Sequence, residues 1–266
     1  MTDDHAKQIA AGVVPPKGLL RRIAELPLRA MGVEPIPTWD LSNHAHNYVH
    51  AELLRELFAA KAIDCVFDVG AFNGHFGNFL RKKVGFSGTI LSFEPQPEPF
   101  GALEEASRRD ERWHAFPVAL GAQPGEFEMN VMNKLWFSSF LAPSAATPQN
   151  MASRNTVEST VRVPIERLAD CFDELAAAHG FKRPFLKMDT QGFDLQVLQG
   201  ALPRIGHFLG LQSEVSIVQI YVGMPSWKEA LAEYEKAGFA RCGFFPVSCE
   251  GQLRAVVLDA AMVRNG

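Results

Sequence analysis

The chain has 266 residues, of which 47% are hydrophobic and 21% charged, with a formal net charge of −4 at pH 7. That length supports one large α/β domain, or a domain with an appendage, and a core of its own. The acidic balance gives no overall basic field, which argues against nucleic acid as a partner and favours a small or uncharged ligand.

Residues 1–40 carry Pro15, Pro16, Pro27, Pro35 and Pro37 around one helical pattern, Leu19 to Met31. Pro27 interrupts its short apolar stripe, so it reads as a helix packed on the domain or on a partner subunit. A clearer amphipathic helix spans 47–61, and residues 1–62 together form an N-terminal helical extension. His44, His46 and His50 fall here, the last two at the i, i+4 spacing that can set two imidazoles on one metal. No Glu supports them in the zincin manner. His50 closing over a bound ligand as a base is the alternative.

From Ile63 strands and helices alternate. Strand 63–69 precedes helix 74–83, strand 89–94 precedes helix 97–108, and strand 113–119 leads to a Gly121–Gly125 turn and an extra strand, Glu126–Val131. Residues 133–160 have no clear period, as in a lid or binding loop. Strand Val161–Ile165, helix Glu166–Gly180, strand 185–189, helix 193–200, strand 209–215 and helix 226–237 follow. Phe239–Val247 and Leu253–Leu258 close the chain as a hairpin around Gly251. Such a run predicts a mostly parallel sheet with one antiparallel strand near its edge.

Cys65, Cys171, Cys242 and Cys249 show no Cys-x-x-Cys spacing, so a reduced, cytoplasmic setting is expected. The N-terminus shows no signal peptide pattern, and no run approaches the ~18 apolar residues of a membrane span.

Chemistry concentrates at two strand ends. The first strand runs into Asp68-Val69-Gly70-Ala71-Phe72-Asn73-Gly74, and the second ends in Phe93-Glu94-Pro95. An acidic residue in Glu94's position holds a ribose through its hydroxyls. A dinucleotide turn needs glycine where Phe72 stands, because a pyrophosphate must approach the backbone there. A cofactor with adenosine and ribose but no phosphate fits instead, and S-adenosylmethionine is the obvious one.

Downstream, Lys187 and Asp189 share one face of a strand whose carboxyl end lies where open α/β sheets bind ligands. Gln191 and Gly192 form the next turn, and Glu214 takes the same end position one strand on. A carboxylate or lysine there could serve as general base toward a hydroxyl. Alternatively, Asp189 and Glu214 could hold a divalent metal ion that acidifies it, or Lys187 and Asp189 could be a local ion pair orienting the loop. Ser138 and Ser139 could bind cofactor or acceptor, or merely begin a turn. Trp136, Phe137 and Phe140 offer surfaces on which a sugar ring could stack.

The chain resembles the FkbM family of S-adenosylmethionine-dependent methyltransferases. The resemblance is carried in order by Asp68 to Gly74, Glu94-Pro95-Gln96-Pro97, Ala119-Leu120-Gly121, Ser138-Ser139, Leu186 to Asp194, Glu214-Val215-Ser216 and Tyr221. It implies a class I methyltransferase fold, Rossmann-like, with a mostly parallel seven-stranded sheet and one antiparallel strand. It also implies O-methylation of a sugar, polysaccharide or polyketide hydroxyl, hence a small-molecule or glycan acceptor.

Motifs and resemblance together select Asp68, Gly70, Ala71, Asn73, Gly74, Phe93, Glu94, Pro95, Ala119 and Gln191 for the cofactor. Asp189, Lys187 and Glu214 are selected for catalysis, and Ser138, Ser139, Trp136, Tyr221 and His50 for the acceptor. No metal ligand is assigned. Two departures from the family pattern stand out: Asp194 replaces a Glu, and Phe72-Asn73 reverses the usual order. An N-methyltransferase, a nicotinamide oxidoreductase, or a non-catalytic cofactor-binding partner subunit are the alternatives, and the chain could self-associate.

Overall fold

Short, almost wholly apolar strands build the centre of the molecule, as expected of parallel strands buried on both faces. The structure, a computed structural model, describes residue 31 and residues 41–250 and 254–265. The expected helix over Leu19 to Met31, but for its last residue, and the turn at Gly251 lie outside the described residues, as do the side chains of His44 and His46.

The strands are β1 (Cys65–Val69), β2 (Thr89–Phe93), β3 (Trp113–Phe116), β4 (Ala119–Leu120), β5 (Gly125–Met132), β6 (Val157–Glu166), β7 (Pro184–Met188), β8 (Gly210–Ser216), β9 (Phe239–Glu250) and β10 (Arg254–Arg264). Helices are α1 (Leu41–Lys61), α2 (His75–Phe79), α3 (Pro97–Ser107), α4 (Gln149–Ala152), α5 (Leu168–His179), α6 (Asp194–Ala201) and α7 (Trp227–Lys236). The main sheet has the order β3-β2-β1-β7-β8-β10-β9. β10 alone runs against its neighbours β8 and β9, and the other pairings are parallel. The seven-stranded, mostly parallel sheet read from the sequence is therefore present.

Strand alternation sorts side chains into two layers. Phe67, Phe93, Leu186 and Met188 face one way, onto Phe172 of α5, Leu198 of α6 and Tyr234 of α7. Val66, Ile90 and Phe185 face the other, onto Leu54 and Phe58 of α1, Leu80 just after α2, and Leu103 of α3. Phe67 anchors the first layer, stacked on Phe172 at 6.0 Å and edge-on to Phe208 at 5.2 Å. Truncating such a ring costs about 3–5 kcal/mol. A capping box between Ser226 and Glu229 starts α7, satisfying backbone N–H groups that the helix cannot.

Four features differ from the pattern read in the sequence. The strand expected over 113–119 breaks at Pro117, which has no N–H for a ladder. Its first part stays in the main sheet, whereas β4 joins a second, three-stranded sheet of order β4-β6-β5. β6 begins at Val157 because β5 supplies an antiparallel partner there, Met132 opposite Val157. The segment between β5 and β6 holds a 3-10 turn, Leu135–Phe137, and α4. β10 continues to Arg264, six residues beyond the expected Leu258.

The chain divides into two units, Met1–His50 and Ala51–Gly266. Among the described residues, no helix is long and apolar enough to cross a membrane.

Candidate active site

Parallel pairing of β1 with β7 sets Asp68 opposite Lys187. The Lys187 Nζ lies 2.9 Å from Asp68 Oδ1, donates to the Gly70 carbonyl at 2.9 Å, and stands 3.7 Å from Asp189 Oδ2. Burial alone would lower the Lys187 ammonium, but Asp68 and then Asp189 outweigh it and hold it above its usual range. Lys187 was expected among the catalytic groups; in the structure it is a buried side chain paired across the β1–β7 register. Its main partner is Asp68 rather than Asp189.

Asp68 is wholly buried. Its Oδ2 accepts from Ser92 Oγ at 3.2 Å, and Ser92 Oγ in turn accepts from Trp113 Nε1 at 2.9 Å. The side chain is thus buried, and it braces the turn through Lys187, which also donates to the Gly70 carbonyl.

Gly70 needs its missing side chain. Its φ is +73°, and a Cβ would lie 2.0 Å from the Asp189 carbonyl oxygen, so the turn after β1 presses directly on the turn after β7. Gly70 and Ala71 donate to the Phe93 carbonyl at 3.0 and 3.1 Å. Phe93 offers that carbonyl to the turn, while its ring stacks on Phe116 in the core. Phe72 takes φ +50°, a left-handed conformation costly for a bulky residue. Asn73 is exposed, Pro95 is half-buried, and Gly74 donates to the Ala71 carbonyl as α2 begins. Ala119 is buried on β4, in the second sheet, beside Ile165.

Glu94 sits buried under this turn. Its Oε2 accepts from the Phe72 N–H at 2.8 Å and its Oε1 from the Gln96 N–H at 2.9 Å. Burial pushes the carboxyl up; the Gln96 and Phe72 N–H groups, the Gln96 side chain and Lys187 offset that only in part.

Asp189 follows β7 with 37% of its side chain exposed. Gln191, at φ +52°, donates from Nε2 to Asp189 Oδ1 at 3.1 Å and to Glu214 Oε2 at 2.9 Å. The Tyr221 hydroxyl reaches Gln191 Oε1 at 2.9 Å and the Phe137 carbonyl at 2.7 Å. Ser139 Oγ donates to the Gln191 carbonyl at 2.7 Å and accepts from Leu141, and Ser138 Oγ accepts from Met132. Ser138, Ser139 and Tyr221 were expected at the acceptor; in the structure Ser139 and Tyr221 tie the β5–β6 segment to the Asp189 turn, and Ser138 ties it to the end of β5. Trp136, on the same segment, keeps half of its surface exposed. His50 is buried and belongs to the unit Met1–His50.

Three further carboxyls surround Asp189. Burial, then Asp189, Asp259 and Asp194, push Glu214 well up, with Lys187 opposing. Burial and Asp189 push Asp194 and Asp259 up to about 7 each. No group of three or more His, Cys, Asp or Glu among the described residues is arranged to hold a metal ion. Ser92, Gln96 and Asp259 escaped the sequence reading. Gln96 had a signal, lying two residues after Glu94. Asp259 had none, because it meets Glu214 only through the β8–β10 register.

Sheet order, the single antiparallel strand and the turn over Glu94 define a class I methyltransferase fold. The family model described as Methyltransferase FkbM domain matches residues 68–241. The chain belongs to this family and is an S-adenosylmethionine-dependent methyltransferase. No curated protein matches the chain. Among solved structures it is similar to cofactor-bound Rv0187 from MTB, at 13% identity and TM-score 0.45, covering 99% of this chain and 97% of that one. It is also similar to magnesium protoporphyrin IX methyltransferase from Synechocystis PCC 6803 (8%, TM-score 0.44, 98% and 97%). A third is fibrillarin from Aeropyrum pernix (12%, TM-score 0.42, 82% and 76%).

Proposed function

We propose that the protein methylates a hydroxyl oxygen of a sugar, polysaccharide or polyketide-like acceptor, with Asp189 as general base. The observation that carries this is Asp189 itself. It is a partly exposed carboxylate at the carboxyl end of β7, held on one oxygen by Gln191 and backed against Gly70 of the donor turn.

The residues present fit the donor. The Glu94 carboxylate accepts from two backbone N–H groups and the Gln96 side chain, which leaves lone-pair capacity for a ribose hydroxyl. Gly70, Ala71, Asn73 and Gly74 form the turn above it, and Phe72 stands where a pyrophosphate would need open backbone. When bound, S-adenosylmethionine supplies a methyl group on a positively charged sulfur.

The acceptor is the difficult partner, because an alcohol is about as weak an acid as water, near pKa 15.7. Asp189 takes the hydroxyl proton as the new carbon–oxygen bond forms. Gln191 fixes the carboxylate's direction, and the β5–β6 segment, tied down through Ser139 and Tyr221, limits water at the reacting atoms. Trp136 offers an exposed ring on which a sugar face stacks. The acceptor class follows the family's chemistry and the absence of a basic field.

Calorimetric titration with S-adenosylmethionine and NAD, followed by methyl transfer to a panel of sugar and polyketide alcohols, tests this. The expected result is binding of S-adenosylmethionine alone. Asp189→Asn should keep that affinity and lose roughly 10²–10⁴-fold in transfer. NAD binding without S-adenosylmethionine binding, or undiminished transfer by Asp189→Asn, would sink it.

A further inference from the structure

We propose that Gln96 is a ligand-binding residue of the donor site, its side-chain oxygen accepting a hydrogen bond from a ribose hydroxyl of the methyl donor. This rests on the reading of Glu94 as the ribose-holding carboxylate.

Gln96 is buried, with 6% of its surface exposed, and its Oε1 has no hydrogen-bond partner among the described residues. The orientation of the amide follows from its neighbours. Nε2 reaches the Leu135 carbonyl at 3.4 Å, and a carbonyl only accepts, so the nitrogen must face it. The Glu94 carboxylate, against which the same side chain lies, also only accepts while ionised. The oxygen end is therefore the one left over.

Buried acceptors are rarely left unpaired in folded proteins, and an exception calls for a cause. Packing supplies none here, since leucine or methionine would fill a similar volume without the unpaired oxygen. Position does supply one. The Gln96 backbone N–H already binds Glu94 Oε1 at 2.9 Å, which fixes the residue beside that carboxylate. Glu94 and the unpaired Gln96 Oε1 are thus two acceptor groups on residues joined through that bond. A ribose offers two adjacent hydroxyl donors, which matches the pair in number and chemistry. The contact with Leu135 adds a link to the segment carrying Trp136, so donor and acceptor regions meet at this side chain.

Calorimetric titration of S-adenosylhomocysteine into the wild type, Gln96→Leu and Gln96→Met, with thermal melts of the ligand-free proteins, provides the test. The variants lose the unpaired acceptor together with the Nε2 contacts to Leu135 and Glu94, two opposing effects, so the melting temperature should stay close to that of the wild type. Affinity should fall by about tenfold in both variants, the scale of one lost hydrogen bond. Repeating the titration with S-inosylhomocysteine, which lacks the adenine amine, separates the two hydrogen donors of the nucleoside. The same tenfold loss is expected there, because the ribose is unchanged. Unchanged S-adenosylhomocysteine affinity in the variants, whatever their melting temperature, overturns the proposal. So does a loss seen with S-adenosylhomocysteine and absent with S-inosylhomocysteine, which would assign the contact to the amine. A wild type that does not bind S-adenosylhomocysteine would instead overturn the donor-site reading of Glu94, and this inference with it.

Discussion

Lys187 Nζ and Asp68 Oδ1 stand 2.9 Å apart in a pair with only 6% and 0% of the two side chains exposed. Breaking a buried pair from one side leaves the other charge without compensation, at a cost of about 3–5 kcal/mol. Lys187→Met should lose stability on that scale in urea denaturation. Adding Asp68→Asn should restore part of it, because the stranded carboxylate is then gone. A full-stability Lys187→Met protein would mean that the pair does not support the turn.

Gly70 and Gly180 separate two effects that usually travel together. Both have positive φ, +73° and +69°, but a Cβ on Gly70 meets the Asp189 carbonyl oxygen at 2.0 Å, whereas on Gly180 it meets nothing within 4 Å. Gly180→Ala should cost about 1–2 kcal/mol, the backbone penalty alone. Gly70→Ala should cost clearly more and also weaken S-adenosylmethionine binding. Equal denaturation midpoints for the two variants would contradict the close approach.

Gln191 was expected from sequence at the cofactor, yet its amide bridges Asp189 and Glu214. Gln191→Met should therefore leave S-adenosylmethionine affinity within about twofold while methyl transfer falls by roughly 10–10²-fold, the scale of a misplaced reacting group. Tyr221→Phe, which frees one end of that amide, should give a smaller loss of the same kind. A drop in donor affinity ahead of any drop in turnover would return Gln191 to the cofactor.

Asp194 and Asp259 give stability a direction in pH. Their folded carboxyls are pushed up to about 7 from an ordinary 3.8, so the folded state holds these protons more tightly than the unfolded one. Their contribution is then fully present below about pH 4 and lost as pH rises toward 7. Asp259→Asn removes one of the two groups. It should flatten the decline between pH 5 and pH 8 in urea midpoints, gaining most, relative to the wild type, at the alkaline end. A wild type whose midpoint rises over that range would count against these assignments.

Much of this architecture was legible because of its burial. β1, β2 and β7 are apolar runs closed by glycine or proline, and Glu94 and Asp189 follow directly from where those runs end. Other features depended on partners that no local pattern reveals. Lys187 invites reading as a base until the β1–β7 register places Asp68 across from it. The start of β6, Val157 to Thr160, has no alternating burial and is ordered by pairing with β5. Ser138, Ser139 and Tyr221 were expected as acceptor contacts, and hydroxyl chemistry alone does not distinguish a ligand contact from a tie between loops. Pro117 was a local signal, and it marks where the chain leaves one sheet for another.

That departure at Pro117 has a bearing on how the protein can be retargeted. Everything from β4 to β6 is one contiguous stretch, Ala119 to Glu166, folded as its own small sheet. Glu94, Asp189 and the Lys187 pair all lie outside it. A cassette swapped within this stretch, with Ala119 and the backbone path at Leu135 kept, would exchange Trp136 and its neighbourhood while leaving the Glu94 turn in place, provided it keeps a serine at 139 to grip the Gln191 carbonyl. On the proposed reading of Trp136, acceptor choice would be a replaceable part mounted on a fixed engine.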